Sequence, residues 1–123
     1  MILADTSVWV DHLRAGDPAL AAALEKGDVV THPFVIGELA CANLKNRRDV
    51  LQLLGMLPGA SVATDREALD FIERRALMGR GIGYIDVHLL AAVALTGARL
   101  WTRDQRLATV ARDLSLAHSE ENT

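Results

Sequence analysis

Apolar positions along the chain come in two rhythms. Short unbroken runs lie at 1–5, 28–32, 61–64 and 98–102, with a weaker one at 114–118. Each is too short for a helix and long enough for a buried strand. Between them the apolar residues recur every three or four positions, the helical spacing. That spacing predicts helices over 6–14, 17–26, 33–46, 47–57, 65–78, 86–96 and 103–113. Punctuation agrees with the pattern. Asp17 and Pro18 open the second helix and Gly27 stops it, Pro33 opens the third, Thr64 or Asp65 the fifth, and Gly97 closes the sixth. Strands alternating with helices imply βαβ units. The expectation is an α/β chain, a three-layer α/β/α sandwich around a mostly parallel sheet of four to five short strands. No repeat or linker interrupts residues 1–123, which read as a single domain.

In such a sheet the ligand crevice lies beyond the carboxyl ends of the strands. Asp5 leaves the first strand there and Asp104 the fourth. Two further acids fall on helix stripes expected to face the core. Glu38 shares its face with Val35, Leu39 and Ala42, and Asp86 with Leu89, Leu90 and Val93. A buried carboxylate without a partner costs several kcal/mol or protonates instead. Singly, each acid has an ordinary explanation: Asp5, Asp86 and Asp104 as helix caps, Glu38 as a rim residue paired to an arginine. Jointly, four carboxylates converge if the helices begin on the crevice side. Their repulsion is relieved by a hard divalent cation, Mg²⁺ or Mn²⁺, which prefers oxygen ligands. A metal held by carboxylates points to metal-assisted phosphodiester hydrolysis.

The order and spacing of these segments matter more than any one of them. "MILADTSVWVDHLR", "FVIGELACA" and "YIDVHLLAAVALTGARLWTRDQRL" together resemble PIN-domain ribonucleases, and most closely the VapC toxins of bacterial toxin–antitoxin pairs. The resemblance covers nearly the whole chain. It implies that Asp5, Glu38, Asp86 and Asp104 hold Mg²⁺ or Mn²⁺ and carry catalysis, with the hydroxyls of Thr6, Ser7 and Thr102 orienting carboxylates or waters. It implies cleavage of structured RNA of the tRNA or rRNA class, a homodimer, and inhibition by a cognate VapB-like antitoxin. The chain departs from the family pattern at one place. An acid or asparagine often follows the last aspartate two residues on, whereas Gln105 and Arg106 follow Asp104 here, so one tightly held ion is expected rather than two.

Composition narrows the picture further. A single cysteine, Cys41, excludes an internal disulfide, fits a cytoplasmic protein, and is expected to be an inert buried thiol. The net charge of −3 argues against nonspecific nucleic-acid binding by the whole surface, so RNA contacts would need a local basic face. Arg80, Arg103 and Arg106 border the acids and are the leading RNA-binding candidates, ahead of Lys45, Arg47 and Arg48; Arg74 and Arg75 read as solvent charge. Tyr84 is the one aromatic placed to stack on a base. The histidines are scattered, with His88 expected at the surface and His32 at most supporting the site. The apolar set of Val8, Trp9, Leu13 and residues 50–57 reads as core or as a partner groove. Two other acid-site folds fail on their residues. A haloacid-dehalogenase phosphatase needs an acid where Ser7 stands, and a receiver domain needs a lysine beyond Lys45, where none occurs. The alternative of another class is a non-catalytic PIN-like module that binds RNA or protein without cutting.

Overall fold

A computed structural model describes residues 1–119. Three strands form one parallel sheet: β1 (Ile2–Ala4), β2 (Val29–Val30) and β3 (Arg99–Trp101), in the order β2-β1-β3. Seven helices surround it among the described residues: α1 (Thr6–Ala15), α2 (Pro18–Glu25), α3 (Pro33–Cys41), α4 (Arg47–Met56), α5 (Asp65–Arg75), α6 (Tyr84–Thr96) and α7 (Gln105–Asp113). Successive strand residues point to opposite faces of a sheet. Leu3 and Ala4, Val29 and Val30, and Leu100 and Trp101 are nonetheless all buried, so the sheet is covered on both sides, as a three-layer α/β/α sandwich requires.

Two of the expected strands, at 61–64 and 114–118, do not form, which leaves three strands among the described residues instead of four or five. At 61–64 the chain is not paired. The Ser61 amide donates to Thr96 Oγ1 (2.9 Å), and Thr64 turns the chain into α5 through a reciprocal capping box with Glu67. Pairing moves upstream to a single Thr31–Gly59 bridge. At 114–118 the ladder is likewise reduced to one bridge, in which Leu100 donates to Leu116 O (2.7 Å) and accepts from His118 N (2.8 Å). That bridge covers the outer edge of β3. The stretch 33–57 is also broken. α3 stops at Cys41, Asn46 adopts a left-handed backbone, and the Arg47 guanidinium donates twice to Ala40 O (3.1 and 2.9 Å), satisfying a carbonyl that α3 leaves free.

Helix α6 is the pillar of the core. Val87 through Val93 are all buried, so the helix has hardly any solvent face over two turns. It packs on α5 and on β3, while α1 packs on β1 and α3. The apolar set weighed at sequence level divides: Val8, Trp9 and Leu54 are core, Leu13, Val50, Leu51 and Leu57 are half-buried against it, and Leu53 and Met56 face out. No helix of the described residues is long and apolar enough to cross a membrane. Leu3 sits in the central strand, fully buried, with Val30 on one side and Leu100 on the other. Leu3→Ala is expected to lower unfolding free energy in urea by about 2–5 kcal/mol, the usual cost of emptying a close-packed leucine site.

Candidate functional site

The register of the sheet places the site. Ala4 pairs with Trp101, so Asp5 and Thr102 leave β1 and β3 side by side at the same edge. Asp5 N–H donates to Trp101 O (2.9 Å). The Asp5 side chain is buried, and it receives donors from two directions. Its Oδ1 accepts from Ser7 Oγ (2.5 Å) and from the Val8 amide (3.3 Å), which makes it the N-cap of α1. Its Oδ2 accepts from Thr102 Oγ1. Thr102 Oγ1 in turn accepts from Asp104 N–H (3.1 Å), and Ser7 Oγ from Arg103 N–H (3.0 Å). The two hydroxyls therefore lock the first and last strand ends together around one carboxylate.

The other three acids arrive separately. Asp104 is exposed and caps α7, its Oδ1 accepting from the Leu107 amide (3.0 Å). Asp86 stands in the first turn of α6, with its Oδ2 accepting from the Gly83 amide (3.1 Å). Glu38 lies on the outer side of α3 and is exposed, a rim residue instead of a core-facing one; Thr6 Oγ1 donates to its Oε1 (2.7 Å). Val35 and Leu39 carry the buried stripe of that helix. Asp86 is only half-buried, because the buried residues of α6 begin at Val87.

Electrostatics bring the four together. The Asp86 carboxyl is pushed above its ordinary value, first by burial and then by the charges of Asp104, Asp5 and Glu38, against the opposing Gly83 hydrogen bond. Every acid is thus held by its own local donors while sharing one field. Among the described residues no three His, Cys, Asp or Glu side chains stand close enough to hold a metal ion as they are. The four acids share a field without closing a cage. An all-oxygen set of this kind suits a hard cation that keeps part of its water shell, as Mg²⁺ does with only one or two carboxylates.

The flanking cations are mostly committed. Arg103 pairs with Asp11 (2.7 Å) and with Asp17, and lies over the Trp101 ring at 5.7 Å. It holds the Asp17 carboxyl below the ordinary value. Arg80 pairs with Asp113 (2.6 Å), and Arg47 serves the end of α3. Arg106 makes no ion pair among the described residues; its side chain lies against Gly81, where an added Cβ would meet Arg106 Cδ at 2.9 Å. With φ at +80°, Gly81 is held to glycine by its backbone as well as by this contact.

Two expectations about single residues need correction, those for Cys41 and His88. Cys41 is exposed, because α3 ends there and its last turn lies at the rim. His88 is not at the surface but 2% exposed, since α6 is buried around its circumference. His32 is fully buried at the N-cap of α3, where its Nδ1 accepts from the Phe34 amide (3.0 Å); burial and then the nearby His88 push its pKa down. Sequence reasoning also missed Asp65. It accepts from Tyr84 Oη (2.7 Å) and lies 3.3 Å from His88 Nε2, so Tyr84 is tied to α5 and packs edge-on to His88. The long apolar run around His88 was the one signal of its burial. No pattern marked Asp65 as its partner.

The family's sequence profile, PIN domain, matches residues 2–113. The chain belongs to the PIN-domain family. Ribonuclease VapC32 of Mycobacterium tuberculosis, in strains CDC 1551 / Oshkosh and ATCC 25618 / H37Rv, is 48% identical to it over 122 residues, covering 98% of each chain. Among solved structures, a chain in a structure of FitAB bound to an IR36 DNA fragment superposes with a TM-score of 0.64. That match covers 100% of both chains at 19% identity, which is a likeness of fold. The PIN-domain sheet here accordingly has fewer strands than expected and the expected layering.

The raised Asp86 pKa sets a pH dependence. A carboxyl whose folded pKa exceeds its unfolded one destabilises the fold when ionised. The cost is absent at low pH, grows as pH rises through the folded value, and persists above it. In chelator, Asp86→Asn, which retains an acceptor for Gly83, is expected to melt above the parent at neutral pH. The difference should vanish on acidification below the ordinary carboxylate value near 3.8. A gap in melting temperature indifferent to pH would contradict the repulsion.

Proposed function

We propose that this PIN-domain protein is a metal-dependent endoribonuclease and the toxin of a toxin–antitoxin pair. One observation carries the reading: three acids from three other segments bear on Asp86 at the strand ends of a chain 48% identical to ribonuclease VapC32 over nearly its whole length. Asp5, Glu38, Asp86 and Asp104 hold the cation, Mg²⁺ or Mn²⁺. A bound divalent ion supplies a water of lowered pKa and offsets charge on the phosphoryl oxygens.

The remaining work falls to the chain itself. Ser7 and Thr102 fix the Asp5 carboxylate in one orientation, and Thr6 steadies Glu38 at the rim. At Asp86, where burial and then the charges of Asp104, Asp5 and Glu38 work against the carboxylate, a bound cation would offset that repulsion. Asp104 faces solvent and is placed to orient water at the open side. With Gln105 and Arg106 after Asp104, the donors favour one tightly held ion. The substrate is RNA of the tRNA or rRNA class. The partners are a VapB-like antitoxin and a second copy of the chain, and the compartment is the cytoplasm. The likeness to VapC toxins supports all of these.

The test uses partner-free protein and total bacterial RNA with Mg²⁺, Mn²⁺ or EDTA. Discrete fragments are expected with metal and none with EDTA. Asp5→Asn, which preserves the cap of α1, is expected to lose at least about a hundredfold in rate, because several kcal/mol of metal-borne stabilisation depend on the ligand set. Intact RNA under every condition, from folded protein that binds neither metal, would leave the non-catalytic binding module instead.

A further inference from the structure

The arginines expected to meet RNA are largely occupied, and two that were not expected to are open. A cavity of about 540 Å³ runs beside the outer edge of β3, between α7 and the 115–119 segment. Arg99, Arg112, Ser115, His118, Trp101 and Thr102 are among the residues that line it, and among the described residues no carboxylate does. Arg99 and Arg112 are exposed, and neither is paired with an acid among the described residues. Arg99 Nη1 reaches the carbonyls of Ser115 (3.4 Å) and Ala117 (3.5 Å), and Arg112 Nη2 donates to Thr109 Oγ1 (3.2 Å). These neutral contacts steady the guanidinium groups without neutralising them. The Trp101 indole N–H is buried and finds no acceptor among the described residues. The lining is therefore rich in donors and carries positive charge, on a protein whose net charge is −3.

Its position gives the cavity a role. Thr102 lines it and also donates to Asp5, so the cavity begins where the acid site ends. Arg99 lies three residues back along β3, about 10 Å at the usual strand rise. The strand and α7 run in opposite senses along this cavity, which brings Arg112, near the end of the helix, toward Arg99 at the start of the strand. We propose that Arg99 and Arg112 form a phosphate-binding subsite for the RNA backbone, one to two nucleotides from the bond held at the acids. This rests on the ribonuclease reading for its ligand. It assigns the flanking contact to the β3–α7 side, and not to Arg80 or Arg103, whose charges Asp113, Asp11 and Asp17 already engage.

The experiment measures RNA binding without cleavage, in EDTA, by fluorescence anisotropy over a series of salt concentrations. The proteins are the parent, Arg99→Gln/Arg112→Gln and Arg99→Lys/Arg112→Lys, each first shown to be folded by its melting curve. Loss of two phosphate contacts should lower the slope of log K against log salt by about 1 to 2 and weaken binding at low salt. The lysine pair should keep the slope. Equal affinity and slope in parent and glutamine pair overturn the subsite while leaving the nuclease reading untouched. A parent that binds with the expected slope but cuts nothing when metal is restored upholds the subsite and sinks the nuclease reading. A parent that binds no RNA overturns both. If the glutamine pair binds RNA normally but loses affinity for poly-glutamate, the cavity serves an acidic protein segment and the RNA assignment is wrong.

Discussion

A carboxylate taken out of water must be given hydrogen-bond donors, and Asp5 obtains them from both ends of the chain. Ser7 and the Val8 amide come from the turn that follows it, and Thr102 arrives from nearly a hundred residues away. The same two hydroxyls accept the Arg103 and Asp104 amides, so the start of α1 and the approach to α7 are built on one side chain. Arg103 extends the junction by reaching Asp11 on α1 and Asp17 ahead of α2. Satisfying one acid thus aligns two strand ends and three helix starts. Asp5 and Asp104 take their places among the acids from that alignment.

Much of this was legible in the sequence, for physical reasons. Strand-end acids, capping residues and helical spacing are local features, and they located Asp5, Asp86 and Asp104 on the right elements. Thr6, Ser7 and Thr102 each bond one of the acids or a neighbouring amide, as expected of hydroxyls beside them. Glu38 was assigned to the right helix and the wrong exposure. Its stripe is shared with Val35 and Leu39, and a stripe about 100° wide has an edge that spacing alone does not resolve. The missing strands show a different limit. Whether 61–64 pairs depends on where its amides go, and the Ser61 amide goes to Thr96, a contact between residues 35 apart in sequence.

Charge pairing was the least readable layer. Arg80 and Arg103 stand beside the acids in sequence and are turned to other acids in space. Arg99 reads as an unremarkable strand start, and becomes notable only because α7 returns Arg112 to the same wall. The buried pair of His32 and His88 likewise depends on α3 and α6 meeting through Phe34, whose ring lies about 5 Å from each imidazole, at 5.1 and 5.0 Å.

Helix α6 carries a consequence for the newborn chain. Buried on nearly every side from Val87 to Val93, it has no face that tolerates water for long. It leaves the ribosome before β3 and α7, which complete its surroundings, and synthesis adds only about 5–20 residues per second. During that interval the most adhesive segment of the protein has only its α5 and N-terminal neighbours for cover. The hazard of aggregation therefore belongs to a moment in synthesis more than to the finished surface, and anything that binds the nascent chain then would act before the acids are assembled into a site.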